Sequence, residues 1–76
     1  MNNITLFIIR DDRNDIRCES LGHNENTGKW AGAVNLYKNK FFHSTLLSTG
    51  LVFDSEEEAI EHMEGVVQSV RRCKEV

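Results

Sequence analysis

Proline is absent from the 76 residues, cysteine occurs twice, and tryptophan and tyrosine occur once each. No low-complexity segment, internal repeat or linker breaks the chain, so residues 1–76 read as one domain. That domain lies near the lower size limit for a fold without staples. Net stability at this length should be roughly 4–11 kcal/mol, a margin that one badly placed side chain can exhaust.

Long apolar runs are missing too. The longest, residues 6–9, is far too short to span a bilayer. No basic region precedes it and no small-residue cleavage site follows, so it does not read as a secretory signal. Without an export signal, Cys18 and Cys73 read as free thiols in a reducing cytoplasm.

Positive charge is scarce. Residues 1–53 carry six Lys and Arg against five acids, whereas residues 54–76 carry seven acids against Arg71, Arg72 and Lys74. The chain therefore lacks the basic footprint of most nucleic-acid binders, and its C-terminal third is acidic.

Recognisable chemistry is missing as well. His23, His43 and His62, with Cys18 and Cys73, show no C-x-x-C, H-x-x-x-H or finger-like spacing, so no metal or other cofactor is expected. Asp11, Asp12, Asn14 and Asp15 cluster oxygen atoms without the spacing, glycine or distal glutamate of a calcium loop, and read as a turn. The loop at 22–28 has two glycines but no following helix and no Lys-Ser/Thr, which excludes a phosphate cradle. A cysteine nucleophile needs a base in a pocket, and one sheet with one helix rarely encloses a pocket. These absences point away from an enzyme.

What is present is pattern. Asp54 and Ser55, followed by Glu57 and Glu58, offer two overlapping capping boxes. Ile60, Met63, Val67 and Val70 then recur at i, i+3, i+7, i+10, flanked by Ala59 and Val66. This predicts a helix over 55–73 with acids at its start and bases at its end, matching the dipole. Upstream the signals are β: a buried strand over 4–9, a weaker one over 16–21, and a hairpin of 30–37 with 41–48 turning at Asn39-Lys40. The expectation is an α+β domain in the order β-β-β-β-α.

The stretch from Gly28 through Trp30 to Val34, the hairpin, and then Phe53-Asp54-Ser55-Glu56-Glu57-Glu58-Ala59 resemble the AP2-type DNA-binding domain, a topology shared with integrase amino-terminal domains. The resemblance covers about half the chain. It implies a three-stranded sheet packed on one helix, with DNA read by the sheet. Members line their strands with arginines; residues 30–48 contain none.

Counting faces gives a sharper expectation. A two-residue turn pairs Lys38 with Phe41, Tyr37 with Phe42, Leu36 with His43, Val34 with Thr45 and Ala33 with Leu46. One face then holds Trp30, Val34, Leu36, Phe41 and Leu47, ready to receive the helix. The other, continued by Phe7 and Ile9 of the first strand, leaves an apolar patch of Phe7, Ile9, Tyr37, Phe42 and Leu46. Such patches mark interaction surfaces. The chain therefore reads as a non-catalytic binding module acting through protein–protein contact, as a homodimer or with another protein. The alternative is a nucleic-acid binder that uses the sheet as its platform.

Overall fold

The computed structural model describes residues 3–73. In chain order the elements are α1 (Asn3–Arg10), β1 (Asp15–Asn24), β2 (Lys29–Lys38), β3 (Phe41–Ser48) and α2 (Glu56–Arg72). The strands form one antiparallel sheet in the order β1-β2-β3. The class is α+β, but the sheet has three strands among the described residues and the domain has two helices.

α2 starts where its cap requires. Ser55 is extended and its Oγ accepts from the Glu58 amide, while Glu58 Oε2 accepts from the Asp54 amide. Ala59, Met63, Val67 and Val70 are buried against the sheet, and Ile60 from the expected stripe is only half-buried. Lys74, assigned to the basic end of the helix, lies outside the described residues. Gly32 of β2 explains how closely helix and sheet approach. A Cβ there would lie 2.7 Å from Met63 Cγ and 3.0 Å from the Ala59 carbonyl oxygen, so only glycine leaves room.

Residues 4–9 are a helix, not the predicted buried strand. A short apolar run has no period to distinguish the two conformations, and tertiary packing decides. As a helix it places Leu6 and Ile9 together against the core, while Ile4 and Phe7 stay exposed. Its last carbonyls are satisfied from elsewhere in the chain. Phe7 O accepts from the Asp11 amide, Ile8 O from Asn14 Nδ2 and Ile9 O from Arg71 Nε at 2.9 Å. Arg10 Nε in turn donates to Val70 O at 3.3 Å. Each helix thus caps the C-terminal end of the other with an arginine.

β1 is longer than the expected 16–21 and takes in part of the predicted loop. A bulge between Ser20 and His23, with Gly22 at φ +82°, carries the strand on to Asn24. The turn itself spans 25–28, closed by the Gly28 amide on the Asn24 carbonyl. The second hairpin turns where the sequence predicts. Asn39 and Lys40 have φ of 54° and 71°, the two left-handed residues of a type I′ turn.

The register holds for Lys38 with Phe41 and Tyr37 with Phe42, then shifts twice. Leu36 pairs with Ser44, Asn35 with Thr45, Val34 with Leu47 and Ala33 with Ser48. His43 and Leu46 are the extra residues of two bulges. A bulge resets the alternation of side chains, and here Leu46 and Leu47 both pack against the core.

Candidate interaction surface

The register fixes what lies on the sheet face away from α2. Gly32 and Val34 meet the helix, so Ala33, Asn35 and Tyr37 point outward, with Arg17 and Glu19 beside them on β1 and Phe42 and Thr45 on β3. The centre of this face is polar. Glu19 Oε1 accepts from Asn35 Nδ2 and from the Tyr37 hydroxyl, both at 2.7 Å. Thr45 Oγ1 donates to Asn35 Oδ1 at 2.8 Å. Asn35 is buried with its hydrogen bonds made, and Ala33 is fully buried.

The two donors hold the Glu19 carboxyl below its ordinary value, the Asn35 bond contributing most. The same contact raises the Tyr37 phenol, which keeps its proton to donate. The Arg17 guanidinium sits 4.1 Å above the Tyr37 ring and binds Asp15 at 3.0 Å. Tyr37 meets Phe42 edge-on, with ring centres 5.9 Å apart.

The five residues expected to form one apolar patch therefore part company. Tyr37 and Phe42 do adjoin on the outer face. Phe7 is exposed on α1, Ile9 is fully buried and Leu46 turns into the core. The face count omitted β1, whose alternating Asp15, Arg17 and Glu19 supply the polar half of the face. It also placed Phe41 under the helix. Phe41 is instead 76% exposed beside the turn, beyond the cover of α2, and Phe42 is 58% exposed. The two most exposed apolar side chains of the sheet thus stand together at the tip of the second hairpin, next to the exposed Lys38 and Lys40, while Leu21 is exposed separately on β1.

The remaining candidates stay apart. His23 stacks on Trp30, the His62 ring is tilted against Phe53, and His43 Nδ1 lies 3.1 Å from Ser44 Oγ. Among the described residues, no group of three or more His, Cys, Asp or Glu is placed to hold a metal. Both cysteines are free, and burial raises the Cys18 thiol. Asp11 closes its turn on Arg13, which lowers its carboxyl to about 2. Among these residues no helix is long and apolar enough to cross a membrane.

The network has a consequence for pH. A carboxylate whose folded pKa is depressed contributes stability above its unfolded value and loses it as pH falls through the folded one. As pH falls below the ordinary glutamate value of 4.5 the wild type should therefore lose more thermal stability than Glu19→Gln, which keeps an acceptor oxygen but no charge. Asp11, held on Arg13 with its carboxyl at about 2, is the same in both proteins and does not enter the difference. Parallel losses in melting temperature would show that Glu19 is not held as an anion.

No family model, curated protein or solved structure matches the chain.

Proposed function

We propose that the chain is a non-catalytic binding module that acts through protein–protein contact, with the tip of the β2–β3 hairpin as its contact surface. The observation that carries this reading is the contrast between the two edges of the sheet. β1 presents Asp15, Arg17 and Glu19, the charges that normally blunt an open edge. β3 has no charged residue from Phe41 to Ser48 and begins with two exposed phenylalanines. Exposed aromatic side chains are among the residues enriched at protein contacts, where they bury large area.

The test compares crosslinking of the wild type and a Phe41→Ser, Phe42→Ser double variant in extract of the producing cell. Both residues are exposed, so the variant should keep the wild-type circular dichroism and melting curve. A crosslinked protein present with wild type and absent with the variant is the expected result. Equal crosslinking by the two would overturn the assignment of the surface.

Lys38 and Lys40 beside the phenylalanines also favour a second reading, a nucleic-acid platform on which bases stack. Titration with mixed DNA and RNA separates the two. Binding that weakens steeply with salt would favour the second reading, and none at about 50 mM salt would exclude it.

A further inference from the structure

Gly65 stands in the middle of α2, where glycine weakens a helix relative to alanine. Unlike Gly32, it has no steric reason within the chain, because a Cβ at Gly65 would meet no atom within 4 Å. It forms the floor of an open groove along the flank of α2, together with Phe53, His62, Val66 and Ser69. The Phe53 ring lies against the His62 imidazole at 5.0 Å and walls one side. Gly65 and Ser69, one turn apart, keep this flank low enough for another backbone to come close.

The charges along the flank are ordered about the glycine. Glu58 lies seven residues before Gly65 and Arg72 seven residues after it, two turns in each direction on one face. Glu61 is on the acidic side as well. The ion pairs among the described residues are Arg13–Asp11, Arg17–Asp15 and Lys29–Asp54, so the glutamates of α2 have no ion-pair partner there. Among the described residues, Arg72 donates to the exposed Gln68 at 3.0 Å. A flank that is acidic at one end, basic at the other and flat in the middle is complementary to itself when turned end for end.

We infer that α2 packs antiparallel against α2 of a second copy, with the two-fold axis at Gly65. Glu58 of each copy then meets Arg72 of the other, and the groove takes in the second copy's Val66 and Ser69. A parallel arrangement would set glutamate against glutamate, so the charge order selects the antiparallel one. The contact is isologous, as in most homodimers. It goes beyond the reading above and uses a different surface, leaving the hairpin tip open.

Sedimentation velocity at low ionic strength, on the full chain at concentrations up to about 1 mM, tests this. The wild type should pass from monomer to dimer. Glu58→Arg and Arg72→Glu should each weaken association by about tenfold, because each reverses two symmetric pairs. Combining them in one chain should restore it. Gly65→Leu should abolish the dimer while raising the melting temperature of the monomer, a pairing of effects that misfolding cannot imitate. A wild type that stays monomeric throughout overturns the inference, as does a dimer that survives Gly65→Leu. Because Glu58 also accepts from the Asp54 amide at the start of α2, failure of the combined reversal to restore association overturns the inference when its circular dichroism matches that of the wild type. A dimer lost with Phe42→Ser but kept with Gly65→Leu would place self-contact at the hairpin, overturning this inference while leaving the proposed function intact.

Discussion

Met63→Asp should leave the chain unfolded at room temperature. Met63 is 2% exposed and sits on Gly32, where helix and sheet come too close for a Cβ. An aspartate there has no cation among its neighbours in the core cluster, which is Ile9, Val34, Val67 and Val70. Whether it stays charged or takes up a proton, it buries an unsatisfied polar group and removes a large apolar one. Those losses together are about 4–8 kcal/mol, comparable with the whole margin of a domain this size. Glu64→Ala, on the exposed side of the same helix, should shift stability by less than about 0.5 kcal/mol. Circular dichroism checks both, and an Asp variant that melts like wild type would show that α2 is docked by another face.

Ile9→Ala should cost about 3 kcal/mol in urea denaturation, within the range for a fully buried isoleucine. Phe7→Ala, two residues away and mostly exposed, should cost less than about 1 kcal/mol. The contrast distinguishes the two conformations of this segment. In a strand, residues 7 and 9 share a face and would behave alike. In α1 they are separated by some 200° of helix turn, so one is core and the other surface. Similar costs at the two positions would argue against the helix.

The elements legible in the sequence are those whose determinants are local. The cap at Ser55 and the stripe through Met63 and Val67 are read within one segment, and so is the left-handed pair Asn39-Lys40. The elements that were not legible depend on partners far along the chain. α1 becomes a helix because Arg71 and the α2 end of the core receive it, some 60 residues away. The bulges at His43 and Leu46 leave no mark in residues 41–48, yet they turn Leu46 from the outer face to the core. The outer face is polar because Glu19 finds Asn35 and Tyr37, 16 and 18 residues on. Periodicity within 30–48 alone therefore predicts an apolar face, and the exposed surface shrinks to the hairpin tip.

The arginine exchange between the helix ends bears on cooperativity. Val70 O receives its bond from Arg10, and Ile9 O receives its bond from Arg71. Short terminal helices ordinarily fray independently, each losing its last turn at little cost to the rest. Here the last turn of each helix gains a side-chain bond that exists only while the other is in place, with Val70 O also accepting from the Cys73 amide of its own cap. The beginning and the end of the described chain are therefore coupled, each losing a bond when the other opens, and both contribute to one core cluster through Ile9 and Val70. The chain is closed on itself by two side chains, without a covalent link.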